Sequence, residues 1–519
     1  MLLRKSALIL SLCGGLAGCG GGSSSPPPPP PPTVTVSISP SAAIAQAGTT
    51  VQLSTTVANS SNQAVTWSVN GVAGGNTSVG TISNGTYTAP ATVTDTTDVQ
   101  VTATAVASSA SAASATITIF AAPPIGVRVL DGAGEFFDRR SGATFTLRGN
   151  NYVRFAPHMI VPPVSQSVMY DSMFGPGLYD SARVEAAFAA MEHSGYNIVR
   201  ALQDCCGATQ GIGNPNGDGL SADYMRNVTD FLRRARAHHL LAIVVPNDLP
   251  KLGGYQQTVD PTCALSWPGC WNLEYTTTGG ITAEAKFWQD FIRSLVAQHA
   301  PMDTIFAYQL RGELWYPSAE HAVSGIALPL LPTSGPLTAA NGKTYDMSDP
   351  AARMQVMSNS LVYWTDRTRS AIQQLAPGAM VGVGFVTGAN PYVPPFPAIA
   401  SSTADYIDGH TGPGEGTTLL QDMTGWGKPP GPSVKPVIMG EFAARKAPFP
   451  LEADAAAALR QWQIDSCASF GFKGWLLWSW DTNDLDQYAP DDQDWYATSG
   501  SGAVNAALAP STRPDPCQP

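Results

Sequence analysis

The chain has 519 residues and a formal net charge of −11. That length exceeds one ordinary hydrophobic core and implies more than one domain. Lys and Arg number 28 against 39 Asp and Glu and form no cluster, which argues against nucleic acid or an anionic membrane surface as partner and leaves neutral polymers open.

Arg4 and Lys5 form a short basic region, Ala7 to Leu12 an apolar one, and LAGC ends at Cys19. A stretch of this kind ending in small residues is an export signal rather than a membrane span. With Leu16, Ala17 and Gly18 before Cys19, residues 1–19 resemble a bacterial lipoprotein signal peptide. The resemblance implies that Cys19 becomes a lipidated first residue, so that the protein is anchored by lipid in a bacterial cell envelope, either periplasmic or surface-exposed. Residues 20–33 are a linker of glycine and serine followed by seven prolines, Pro26 to Pro32. The first part is flexible and the second a stiff extended spacer.

Residues 34–120 are rich in Val, Thr, Ser and Ala, and several segments, such as TVTVSISP and DVQVTATAV, tend to alternate at period two. Six or seven short strands with turns between them predict a small all-β sandwich. The WSVNG and GTYTAP segments are similar to bacterial immunoglobulin-like domains. Apart from Phe120 the aromatics are Trp67 and Tyr87, both expected inside. A sugar-binding face needs exposed rings, so a spacer is favoured over a carbohydrate or adhesin module.

Pro123 and Pro124 mark a boundary, and over 124–515 strands alternate with helices. The expected order begins with a strand at FTLRGNNYV, a helix over 180–193, the strand YNIVRAL, and a helix capped by Ser221. LLAIVVPND, TIFAYQL, MVGVGFV, ADYIDGH, PVIMGE and GWLLWSW are the remaining strands, with further helices over 281–299, 351–375, 453–470 and 504–508. Eight strand-helix units predict an α/β fold, a (β/α)8 TIM barrel following the sandwich. An open doubly wound sheet is the alternative, but no GxGxxG or Walker run follows the first strand. Large insertions at 152–179, 203–222, 246–281 and 312–349 all follow strands, which places them on the rim where such barrels do chemistry.

Glu313 lies just past the fourth strand and Glu441 ends the seventh. Strands four and seven lie nearly across a barrel, so two rim carboxyls there face one cavity. A retaining glycosidase needs such a pair about 5–5.5 Å apart, one to protonate the leaving oxygen and one to attack the anomeric carbon. On these residues the chain resembles the retaining glycoside hydrolases of clan A, nearest family 5. The resemblance implies Glu313 as acid/base and Glu441 as nucleophile. It also implies Arg200, in NIVR, as the arginine that orients the nucleophile, and His410 as the strand-six histidine. Trp478 is the first choice, and Trp480 the second, for the aromatic under the first subsite. Asn151, Tyr152, Arg311 and Trp315 are further candidates for lining the substrate site. The chain departs from the family at Gly312, where an Asn holds the sugar 2-hydroxyl, and at Leu314, where a Pro is usual. Arg311, Asn151 and Gln309 are candidates to replace that Asn.

No GxSxG or HExxH motif occurs, and the acidic loop 213–223 has no Glu at an EF-hand twelfth place. Neither cofactor nor metal is expected. Cys263 with Cys270, and Cys467 with Cys517, are the expected disulfides in an exported compartment. The function expected is a retaining β-glycosidase, endo-acting on an oligo- or polysaccharide and monomeric. The rival is a non-catalytic carbohydrate-binding or adhesin protein on a degenerate barrel. A carboxyl separation beyond about 9 Å favours the rival.

Overall fold

A computed structural model describes residues 32–153, 156–157, 168–169, 172–203, 211–246, 248–263, 270–316, 331–388, 393–414, 416–480, 496 and 502–518. The expected signal with Cys19 lies outside the described residues, and so do the adjacent Cys205 and Cys206, which the sequence leaves to pair with different partners or with one of them free.

Residues 35–120 form an all-β unit with a five-stranded and a four-stranded sheet and a separate strand pair. Val69, Ile82, Tyr87, Val101 and Ile117 fill its core, and Trp67 packs at the edge of it. The Tyr87 hydroxyl donates to Val79 O at 2.7 Å, which satisfies the polar end of a buried ring.

The second unit is a closed ring of eight parallel strands. Numbered within the barrel they are β1 (Leu147–Tyr152), β2 (Ile198–Gln203), β3 (Leu241–Pro246), β4 (Ile305–Gln309), β5 (Val381–Val386), β6 (Tyr406–His410), β7 (Val437–Phe442) and β8 (Gly474–Trp480). The main surrounding helices are α1 (Ser181–His193), α2 (Ala222–Ala237), α3 (Thr278–Ala297), α4 (Pro350–Leu375), α5 (Leu419–Trp426) and α6 (Glu452–Phe470). Ser221 caps α2 through its side chain, as expected. Both expected disulfides, Cys263–Cys270 and Cys467–Cys517, are present.

Alternation along the strands, reset in β4 by irregular pairing with β3, separates two layers. Leu147, Ile198, Ile243, Phe306, Tyr406, Ile438 and Leu476 face the barrel interior, while Val199, Val244, Tyr308 and Met439 pack under the helices. A hairpin, Ile125–Leu130 with Ala133–Asp138, was not anticipated from the sequence. It closes the barrel at the end where the strands begin. Its Phe136 ring lies 5.3 Å from Phe306 and 5.8 Å from Tyr406. Truncating this plug in Phe136→Ala should cost about 3–5 kcal/mol, from lost burial plus a cavity. Denaturant unfolding measures it, and a loss under about 1 kcal/mol would show that the hairpin is not part of the core.

The all-β unit docks at that same end. Thr96 Oγ1 donates to Ala300 O at 2.6 Å, Gly378 N donates to Gln46 Oε1 at 3.0 Å, and Phe120 joins the barrel's outer core. Ala300 and Gly378 lie on the connections entering β4 and β5, opposite the rim.

Candidate active site

Inward-facing positions near the strands' C-terminal ends carry a connected polar cluster. Asn151 on β1 and Arg200 on β2 are register partners, and both are fully buried. Arg200 Nη1 donates to Asn151 Oδ1 and to Glu441 Oε1, each at 2.7 Å. Asn151 Nδ2 donates to Gly440 O at 2.7 Å, which ties β1 to β7. On β6, Asp408 accepts from Gly440 N at 2.6 Å and from Gln309 Nε2 at 2.9 Å. A Cβ at Gly440 would lie 2.0 Å from that carboxylate, so glycine is required for the approach.

Glu441 reaches the cavity because β7 carries a bulge. Met439 pairs with Trp475 but Phe442 pairs with Leu477, so β7 has one extra residue over this interval. Strict alternation after the inward Ile438 would turn Glu441 out, and a bulge re-aims such a side chain. Glu313 comes from the turn after β4. Its Oε1 lies 3.0 Å from His410 Nδ1, and its Oε2 accepts from Trp315 Nε1 at 3.3 Å. The same His410 nitrogen is 3.5 Å from Glu441 Oε2, and His410 Nε2 is 3.2 Å from Asp408 Oδ2. One carboxylate oxygen from each glutamate and a ring nitrogen of His410 all lie within 4.8 Å of one another. The Glu313 and Glu441 side chains keep 34% and 19% exposure, so both are open to a ligand.

The charges are coupled. Burial works against the His410 cation, but Glu441, Asp408 and its hydrogen bonds prevail and push its pKa up to about 10. Burial raises the Glu313 carboxyl, yet the His410 hydrogen bond and charge hold it below its ordinary value. Glu441 is raised, first by burial and also by the Glu313 charge, against the opposing His410 and Arg200. The trio has the spacing of a metal-ligand set, but the buried Arg200 guanidinium already occupies Glu441 and opposes a cation.

Several expected site residues lie elsewhere. Tyr152 points outward between Phe188 and Phe231, with ring centroids 6.0 and 5.9 Å away, because it alternates with the inward Asn151. Arg311 also turns outward, to Glu274 and Glu284. Trp480 is buried against Tyr196 outside the barrel. The pairing of Asn150 with Leu477 and of Tyr152 with Trp480 puts an extra residue in β8 between them, which breaks the shared parity of Trp478 and Trp480. Trp478 is half-buried, two residues beyond the inward Leu476, and Trp315 is half-buried beside Glu313. All three candidates for the missing Asn are engaged elsewhere: Arg311 outside the barrel, Asn151 with Arg200, and Gln309 with Asp408. Asp408 escaped the sequence reading. Its signal was the spacing of two from His410 in one strand, which puts both on one face.

No protein-family model matches the chain, and no curated protein does. Solved structures similar to it include an exo-β-1,4-mannosidase from Opitutaceae bacterium strain TAV5, at 15% identity and TM-score 0.47 over 75% of this chain and 62% of that one. The chain thus spans less than two thirds of that relative's length. A β-mannanase from the blue mussel Mytilus edulis matches at 14% identity and TM-score 0.44 over 76% of this chain and 98% of that one. A mutant of a glycoside hydrolase family 5 mannosidase from Rhizomucor miehei matches at 13% identity and TM-score 0.45, over 75% and 99% respectively.

Proposed function

We propose that the protein is a retaining β-glycosidase acting on a polysaccharide, with Glu441 as nucleophile and Glu313 as acid/base. The observation that carries this reading is the approach of the two carboxylates, which offer oxygens within 4.8 Å of each other from β7 and from the turn after β4. That approach favours a nucleophile and acid/base pair, whose carboxyl groups lie about 5–5.5 Å apart in retaining enzymes, over an inverting pair at about 6.5–9.5 Å. A binding protein needs no such pair.

In the first step Glu441 attacks the anomeric carbon while Glu313 gives its proton to the departing oxygen. A glycosyl ester forms on Glu441 and the aglycone leaves as an alcohol. Glu313 then takes a proton from water, which attacks the same carbon and frees Glu441 with net retention. Arg200 holds the attacking carboxylate in place and stabilises its charge, and Asn151 holds Arg200. His410 Nδ1 hydrogen-bonds Glu313 at 3.0 Å and lies 3.5 Å from Glu441, so its charge bears on both carboxylates. Trp478 and Trp315 offer faces for sugar stacking.

The insertions after the first four strands support an extended cleft and endo action. The N-terminal segment supports a lipid anchor at Cys19 in a bacterial envelope, with the all-β unit as spacer.

A screen of β-linked glucans, mannans and galactans, with the anomeric form of the first product followed by NMR, tests the reading. Glu313→Ala should lower kcat on the glycan found by about 10²–10⁴-fold, the usual worth of a general acid. The loss should nearly vanish in the first step with an aryl glycoside whose leaving group needs no proton. Inverted product, or an unchanged kcat, rejects the assignment.

A further inference from the structure

We infer that Arg311 is a positioning residue for Glu313, acting from outside the barrel; the inference rests on the reading of Glu313 as the acid/base. Arg311 precedes Glu313 by two residues, yet its side chain leaves the cavity and enters the layer between α3 and the short helix Trp271–Thr276. Its Nη2 donates to Glu274 Oε2 at 3.1 Å and Glu284 Oε2 at 2.8 Å, and its Nη1 donates to Glu284 Oε1 at 3.0 Å. All three side chains are essentially without solvent. The guanidinium also lies 5.0 Å from the Trp364 ring centroid and 5.7 Å from that of Tyr275.

A buried ion cluster is weak evidence of stabilisation, since apolar packing of equal volume often serves as well. What a planar, forked donor supplies is direction. Here the direction is passed to a turn held from the other side as well. Arg200 Nη2 donates to Gly312 O at 3.4 Å, Gly384 N donates to Arg311 O at 3.2 Å, and Leu314 N donates to Gly384 O at 2.9 Å. The residue that orients Glu441 therefore also touches the peptide just before Glu313, while Arg311 fixes that turn against the helices. The anchor continues outward, because Glu274 Oε1 accepts from Gln256 Nε2 at 2.8 Å and Gln256 Oε1 accepts from the backbone N–H of the disulfide-bonded Cys270 at 3.1 Å. Among the described residues the Glu313 carboxylate is held by His410 and Trp315, and its place also depends on the turn that carries it. A displacement of about 1 Å in such a group costs on the order of 10²-fold in rate.

The test compares Arg311→Met, Arg311→Lys and Glu284→Gln with the wild-type chain. Each is assayed on the unactivated glycan and on a dinitrophenyl glycoside of the same sugar, with near-ultraviolet circular dichroism to confirm folding. Arg311→Met should lose about 10–100-fold in kcat on the glycan, with KM within about twofold. Its loss in kcat/KM on the activated substrate, which reports the first step alone, should be only a few-fold. Glu284→Gln should show the same pattern more weakly, and Arg311→Lys should recover part of the rate. Equal losses of kcat/KM on both substrates, or an unchanged kcat on the glycan, overturn the inference, and Glu284→Gln decides it if Arg311→Met does not fold. If Glu313→Ala itself shows no dependence on leaving group, the reading of Glu313 fails instead.

Discussion

Glu441→Ala should lower kcat on the wild-type substrate by on the order of 10⁴-fold or more, since loss of a covalent nucleophile removes the step that all later steps require. On the proposed mechanism the vacated space lies on the nucleophile's side of the anomeric carbon, so added azide should restore turnover of an activated β-glycoside. The product should be the α-glycosyl azide, because azide replaces Glu441 in a single inverting displacement. Azide added to Glu313→Ala should give the β product, because there it intercepts the glycosyl ester. Glu441→Gln controls for the hole left beside Arg200, and it should be equally inactive without rescue. A Glu441→Ala protein retaining above about one hundredth of the wild-type rate, or one rescued to the β product, would remove Glu441 from the mechanism.

Arg200→Met should combine a stability loss with a shifted pH profile. Arg200 is wholly buried, 2.7 Å from Glu441 and 3.9 Å from Asp408. Deleting one partner of a buried pair leaves the other charge uncompensated and costs about 3–5 kcal/mol. The kinetic sign follows from the same contact. Arg200 is among the groups holding the Glu441 pKa down against burial, so its loss raises that pKa further. The nucleophile must be ionised, and activity is lost as pH falls through its pKa. The acid limb of kcat/KM should therefore move to higher pH in Arg200→Met and less so in Arg200→Lys. An acid limb that stays in place would mean that Arg200 holds the barrel together without tuning Glu441.

The fold was largely legible because its signals are local. LLAIVVP, VGVGF and PVIMG are short apolar runs between turns, and each is a buried strand. Glu313 and Glu441 were legible because each follows such a run at the end where a barrel opens. Three neighbours were misplaced for one shared reason. Which of Tyr152, Arg311 and Trp480 faces the cavity is decided by the local path of the chain at the rim: Tyr152 alternates with the inward Asn151, Arg311 leaves outward from the turn after β4, and irregular pairing along β8 turns Trp480 away. The Ile125–Asp138 hairpin was missed because its role as a plug comes from contact with Phe306 and Tyr406, which are distant in sequence.

By itself the sequence determined the alternating strand-helix order, the cap at Ser221, the two described disulfides and the two rim carboxyls, all of which follow from short-range pattern and residue chemistry. Only the tertiary structure decided which side chains share the cavity. Closing the ring set Asp408 behind His410, passed Arg200 between Glu441 and the Gly312 peptide, and sent Arg311 out to carboxylates 37 and 27 residues upstream. Those contacts join residues far apart in the chain, and their geometry depends on strand register and bulges, which no local pattern encodes.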